Sequence, residues 1–356
     1  MKKCLLPILM LLAALPTLQA NNNSLMPGKA GDDFQTLKNS TLVVVLLEEN
    51  KKYEDKLTKQ HKPALVTAYQ NAIKTVNDNM QATADKYLKL SKGVEYKTMS
   101  EIISLPSSTR DGYSFLMYDR STQFAAGASD FKLDLYSDKE DELKAMLDGY
   151  SDYIQFDCAD PKYHGEEDYR RIIILIKGKK KSADVEYMQS LDMIIPTKGS
   201  FALCFMCIQN QFNSDVAGDK KLSKQQEKEE IRQQVAKART KTLIVCKDNL
   251  EKNITQAKIA AIYKYKFKLV SREDFDNIIL NNDTNYCVLE VYPADKVQSG
   301  YKPTVSYQHL IIDAQSDDLL LTVVPEPTGA GAPPSYQKIT DKHFKDIAKT
   351  EDDVTK

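Results

Sequence analysis

Five short segments within residues 241–292 alternate in hydrophobic period, and that alternation restricts the fold more than any other feature of the chain. Thr242-Leu243-Ile244-Val245-Cys246 is a brief β-prone apolar run, as expected of a strand covered on both faces. Asp248, with Glu251 three positions later, offers a capping-box start to a helix carrying Ile254, Ala257 and Ala261 at helical spacing. Phe267 and Leu269 alternate with lysines at strand period. Ser271, with Asp274 three on, starts a second helix whose apolar face is Phe275, Ile278 and Ile279, and Tyr286-Cys287-Val288-Leu289 is another covered strand. Strands alternating with helices imply right-handed crossovers and a sheet with parallel core strands.

Much of this unit occurs twice. Residues 94 to 118 lie on 267 to 291 without a gap at an offset of 173: Val94 meets Phe267, Thr98 meets Ser271, Glu101 meets Asp274, Ile102 meets Phe275 and Leu116 meets Leu289. The first strands match as well, Thr41-Leu42-Val43-Val44-Val45 against Thr242 to Cys246, but at an offset of 201. The first copy therefore carries 28 more residues, and they fall within its first helix. At about 1.5 Å per residue they lengthen it by roughly 40 Å. That helix begins near Asn50, restarts at Pro63 and continues through Leu65, Tyr69, Ile73, Val76, Met80, Ala84 and Tyr87. Such a stripe needs a surface beyond its short sheet, in residues 140–210 or on a partner protein, and packing within the chain is the expectation.

The fold class is therefore α/β with α+β edges: two tandem βαβαββ-type modules, the first with a long first helix and a β-rich insertion. Residues 1–20 read as a signal peptide, with Lys2 and Lys3 ahead of an apolar stretch from Leu5 to Leu18 and Ala20 at the exit. The stretch is shorter than the ~20 residues a span requires. Cys4 precedes it and cannot be a lipid-bearing cysteine after cleavage. The first module occupies 32–213, a charged helical linker 214–241, the second module 242–324, and a Pro/Gly linker with a polar tail 325–356. In the second module, Tyr307 to Asp313 and Leu319 to Val324 are expected to close the sheet as an antiparallel hairpin. The tail allows a short helix near Phe344.

Within the first module, Phe131, Leu133 and Leu135 alternate as a strand, Leu143, Met146 and Leu147 mark a helix, and Arg171 to Ile176 a covered strand. This stretch has no evident counterpart in the second copy. The apolar run Phe201 to Ile208 carries Cys204 and Cys207 at redox-motif spacing. Read as a strand, the run sends residues three apart to opposite faces, so these cysteines are expected as buried structural thiols. Cys246 and Cys287 fall on neighbouring strands and are also expected as core thiols.

Composition excludes more than it selects. With 42% hydrophobic and 28% charged residues over 356 positions the chain can bury cores for two domains. A formal net charge of -1 leaves no footprint of nucleic-acid binding. The absence of Trp weakens a carbohydrate-stacking surface. No G-x-S-x-G elbow, Walker loop, dinucleotide G-x-G-x-x-G or H-E-x-x-H is present, and His61, His309 and His343 have no recognisable catalytic companions. No catalytic or cofactor-binding residues are assigned. The one cluster of metal-ligand types is the acidic loop with Asp160, His164, Glu166 and Asp168, which could suit a hard cation through its carboxylates but matches no known ligand spacing. Lys177, Lys179, Lys180 and Lys181 form a basic tip expected to be a solvated turn.

The strand-helix order, the closing hairpin and the entry Phe267-Lys-Leu-Val-Ser-Arg-Glu-Asp-Phe into the second helix resemble the anticodon-binding-like α/β modules of bacterial envelope proteins. The curli-secretion lipoprotein and the amino-terminal domain of the Tol-system translocation protein are of this type. The resemblance covers about a third of the chain, without the lipidation cysteine of the former or propeller repeats of the latter. It implies a non-catalytic module that binds partners. The expectation is thus an exported, periplasmic or secreted, scaffold protein that binds an envelope protein, with no nucleic acid partner, no transmembrane segment and no cofactor. The alternatives are a secreted hydrolase with a non-local site near His164, and a small-molecule sensor using the carboxyl ends of the parallel strands.

Overall fold

The computed structural model describes residues 33–122, 135–153, 168–178, 183–193, 195–218, 223–299, 302–316, 318–324 and 338–354. The expected signal peptide, Phe131, Leu133, Asp160, His164, Glu166, Lys179 to Lys181 and most of the Pro/Gly linker lie outside these residues.

The chain forms a mixed α/β protein with two five-stranded sheets. In the first module, helix α1 (Asp33–Asn39) precedes strand β1 (Thr41–Leu46), and helices α2 (Lys51–Lys59) and α3 (Pro63–Tyr87) lead to β2 (Val94–Thr98). Helices α4 (Met99–Ser104) and α5 (Ser107–Arg110) then lead to β3 (Tyr113–Thr122), and α6 (Glu140–Tyr153) to β4 (Asp168–Lys177), β5 (Ala183–Ser190) and α7 (Lys198–Ala217). The second module runs α8 (Lys224–Thr240), β6 (Thr242–Cys246), a 3-10 turn (Lys247–Asn249), α9 (Gln256–Ile262), β7 (Phe267–Val270) and α10 (Arg272–Leu280). It closes with β8 (Tyr286–Ser299), β9 (Lys302–Asp313), β10 (Leu319–Val324) and α11 (Asp341–Val354).

Strand order is β2-β1-β3-β4-β5 in one sheet and, in matching positions, β7-β6-β8-β9-β10 in the other. The registers agree residue by residue. Leu42 lies beside Val94 and Thr41 beside Tyr113, just as Leu243 lies beside Phe267 and Thr242 beside Tyr286. The hairpin β4–β5, for which the sequence offers no counterpart, is the equivalent of β9–β10. Leu116 faces Ile174 as Leu289 faces Ile311, so the offset changes again, to 137. The change reflects the long stretch with α6 between β3 and β4, where the second module has only the tight β8–β9 hairpin. The outer helices correspond too: α7 packs on α3, α1 and β5, and α11 packs on α9, α8 and β10.

The long helix divides as its sequence suggests. Asn50 caps α2 by accepting from the Tyr53 N–H, and Pro63 opens α3, whose packing partner is α7. Two other expectations are corrected. Phe201 to Ile208 is not a strand but the core of α7, started by the Thr197 hydroxyl accepting from the Ser200 N–H and ended by Gly218 at φ 65°. An uninterrupted apolar run reads equally as a buried strand or a helix buried all round, and here the helix is chosen because it is sandwiched. The helix after β6 starts not at Asp248 but at Gln256, capped by Thr255. The backbone between is taken up by Leu250 and Ile339, which pair as a parallel bridge ahead of α11.

Helix α7 belongs to both modules. On one side it packs on its own sheet with α3, and on the other it meets α10, joining Phe201, Leu203, Phe205 and Ile208 to Ile244, Val288, Tyr292, Leu310 and Ile312 in one core. In the first module α4 packs against β2 and α6 packs on α4. The second module has α10 in the place of α4, and α7 supplies the second helix. The opposite face of the second sheet has its own core, with Val235 and Ala238 from α8, Ile259 from α9 and Phe344 and Ile347 from α11. The charged helix ahead of the second module is thus packed along β10 and β6, and the tail contributes a fully buried Phe344.

Candidate functional site: a buried charged seam

Where α7 meets the second module, polar side chains collect at the carboxyl ends of the parallel strands, the end at which open α/β sheets bind ligands. Each is placed by a local device. Ser271 caps α10 by accepting from the Asp274 N–H, which sets Arg272 at the first helical position. Glu290 follows Leu289, the last residue of β8 paired with β6. Asn249 ends the 3-10 turn after β6, and Asp192 follows β5 of the first module.

The geometry centres on Arg272. Its Nη1 donates to Asp192 Oδ2 at 3.2 Å and lies 3.7 Å from Glu290 Oε2, and its Nη2 donates to Asn249 Oδ1 at 3.3 Å. Asn249 Nδ2 donates in turn to Glu290 Oε1 at 3.2 Å, which also accepts from the Val291 N–H at 3.1 Å. Both acids are buried, their side chains 4% and 1% exposed. Asp276, one turn along α10, approaches Gly199 at the start of α7. Arg272 Nε, Asp192 Oδ1, Asp276 Oδ1 and Glu290 Oε2 have no hydrogen-bond partner within the protein.

Two carboxyl groups thus share one guanidinium, and a third, Asp276, lies within its electrostatic reach. Burial, then the neighbouring Asp192 charge, pushes Glu290 up to about 8, against the pull of Arg272. Burial also raises Asp192, opposed by Arg272 and the Ser200 hydroxyl, and raises Asp276, opposed by Thr197 and the Gly199 N–H. Burial works to lower Arg272, but Glu290 and Asp192 outweigh it and hold the group charged. Burial raises the nearby Cys246 thiol as well.

The first module shows that the fold does not require these charges. By register, Arg272 corresponds to Met99, Glu290 to Met117 and Cys246 to Val45, all buried. Two signals in the sequence could have marked the site. Glu290 interrupts the apolar run from Tyr286 to Tyr292, and Arg272 places a cation in the first turn of a helix, where the dipole disfavours it.

Of the four metal-ligand candidates, Asp168 opens β4 opposite Thr122, while Asp160, His164 and Glu166 lie outside the described residues. No group of three or more His, Cys, Asp or Glu that could hold a metal occurs among the described residues. Cys204, Cys246 and Cys287 are buried, and the Cys207 thiol donates to Gln189 Oε1 at 3.1 Å. Cys246 and Cys287 face opposite sides of the second sheet, in different cores. His309 and His343, unconnected in the sequence reading, stack at 4.0 Å between β9 and α11. Among the described residues no helix is long and apolar enough to cross a membrane. Comparison with protein-family models, with characterised proteins and with solved structures gives no match to this chain.

Proposed function

We propose that this is an exported, non-catalytic scaffold protein of the bacterial envelope that works by binding another envelope protein. The observation that carries this reading is the use made of the second sheet's carboxyl end. The crevice that would hold a small ligand in an open α/β sheet is filled by Asp192 and the first turn of α7, so the chain spends that end on joining its own modules. At the matching end of the first module stand Val45, Met99 and Met117, and the acid there, Glu48, is engaged in accepting from the Ser100 N–H and hydroxyl at 3.0 Å. A sensor is less well served by this arrangement than a rigid two-module body.

The β8–β9 hairpin supports the same reading. β6 pairs with β8 only as far as Leu289, and β10 with β9 only from His309 to Ile312, whereas β8 and β9 stay paired out to Ser299 and Lys302. A two-stranded arm of this length reaches about 20 Å past the sheet and offers backbone edges to which an extended segment of a partner can add.

The test is fractionation of cells carrying the tagged full-length protein, followed by crosslinking in the intact envelope with photo-reactive residues placed in the arm. Recovery in the exported fraction with one defined partner, whose binding is reproduced with purified proteins, is the expected result. A protein retained in the cytoplasm, or recovered alone and showing hydrolytic turnover that His164→Ala abolishes, would overturn it.

A further inference from the structure

We infer that the seam between the modules is proton-linked: Asp192 and Glu290 together hold one proton beside Arg272, and loss of that proton loosens the packing of α7 against the second module. The geometry requires some such arrangement. Two buried carboxyl groups on different modules face one guanidinium, with Asp276 a turn away, and Asp192 Oδ1 and Glu290 Oε2 accept no hydrogen bond. One cation cannot balance two buried carboxylates with a third, half-buried one beside them, so a shared proton is the least costly way to supply the missing positive charge.

Every packed element contributes a facing group. The turn after β5 brings Asp192; α10 brings Arg272 and Asp276; β8 brings Glu290; β6 brings Cys246; and the turn beyond it brings Asp248 and Asn249. Helix α7 brings the Thr197 and Ser200 hydroxyls and the Gly199 N–H, none of which titrates. Among the described residues Arg272 is therefore the one cation directed at the acids, and deprotonation leaves Asp192 and Glu290 repelling across the module boundary. The Met99 and Met117 pair of the first module provides an internal contrast, because it seals the equivalent place with nothing to titrate.

The experiment is amide hydrogen exchange on the full-length protein at pH 5.5, 7 and 9, corrected for intrinsic exchange, with Glu290→Gln and Asp192→Asn beside the natural chain. In the natural chain, protection in the first two turns of α7 and in α10 falls at least tenfold between pH 5.5 and 9, while β1 and α1 are unchanged. In Glu290→Gln, which keeps the neutral form at every pH, protection at the seam stays at its pH 5.5 level; Asp192→Asn does the same and serves should the first variant fail to fold. Carbon-detected titration of side-chain carboxyls identifies the proton directly, with a Glu signal still protonated at pH 6. Seam protection that does not change with pH, an equal fall in Glu290→Gln, or full ionisation of every Glu by pH 6 would overturn the inference.

Discussion

The guanidinium of Arg272 lies 3.2 Å from the carboxylate of Asp192, and this contact crosses from one module to the other. Arg272 belongs to α10 of the second module and Asp192 to the turn that follows β5 of the first, so the pair forms only when α7 is seated. Lys86 Nζ donating to Leu280 O at 2.6 Å and Asn210 Nδ2 donating to Ser316 O at 2.7 Å flank the same seam. The two modules are therefore held as one body by an apolar helix with a charged clasp at its start.

Removing the cation leaves the acids uncompensated. Arg272→Met is expected to destabilise the protein by about 3–5 kcal/mol, the cost of breaking a buried ion set from one side. The triple change Asp192→Asn, Arg272→Met, Glu290→Met copies the first module's apolar pair and is expected to recover most of that loss. Denaturant unfolding at pH 7 measures both.

Gly199 is required by the approach of α10. A Cβ at this position would stand 2.9 Å from the Asp276 Cα, which is backbone and cannot swing aside. Gly199→Ala is therefore expected to force α7 and α10 apart at a cost of roughly 1–3 kcal/mol, in the range of overpacked cores. A fall in melting temperature accompanied by increased exchange along α10 would bear this out; an unchanged melting temperature would count against it.

His309 occupies a place that the first module fills with Ile172, as the strand registers show. It is fully buried, neither ring nitrogen has a hydrogen-bond partner, and it stacks on His343. Burial, and then His343, lowers it to about 3 from the usual 6.5. The native state thus binds fewer protons than the unfolded state between those values, so stability falls as pH drops from about 6.5 towards 3 and is unaffected above that window. His309→Ile should leave stability at pH 7 unchanged or raise it by about 1–3 kcal/mol, the penalty of a buried unpaired polar group. It should also flatten the acid limb, which thermal melts from pH 7 to 4 will read.

Asp313 is clasped by two lysines. Lys237 Nζ lies 2.8 Å and Lys241 Nζ 2.9 Å from its Oδ2, and its Oδ1 accepts from the Gln315 N–H at 2.9 Å. Burial alone would raise the carboxyl, but Lys237, the Gln315 N–H and Lys241 outweigh it and hold it below the usual range. The stabilisation is present above pH ~4 and is lost as the pH falls through the lowered value. Asp313→Ala strands the nearly buried Lys241 and is expected to cost about 3 kcal/mol at pH 7. Circular dichroism melts of the variant at pH 7 and pH 3 should differ from the natural chain much less at the lower pH.

The strands and most helix starts were legible because each depends on residues close in sequence. Val43, Val44 and Val45 announce a covered strand, Thr98 and Ser271 each cap the helix that follows, and the offsets of 201 and 173 reappear as hydrogen-bonded registers. The match of β4–β5 to β9–β10 escaped because a third offset begins where the first copy takes up α6, and pattern comparison fails across such a change. The run Phe201 to Ile208 was ambiguous for a different reason. A segment apolar on every side has no period, so its own residues could not decide between strand and helix.

The sequence by itself determined the two modules, the succession of strands and helices in the second and the long α3, all of which follow from local period and capping. Only the tertiary structure decided that α7 is a helix shared by both sheets and that Asp192, Arg272 and Glu290 meet. Those outcomes depend on which surface covers the second sheet, and the residues concerned come from the turn after β5, from α10 and from β8, separated by up to 98 positions. The energy of bringing buried charges together depends on the medium around them, and that medium exists only once the two modules have closed on α7.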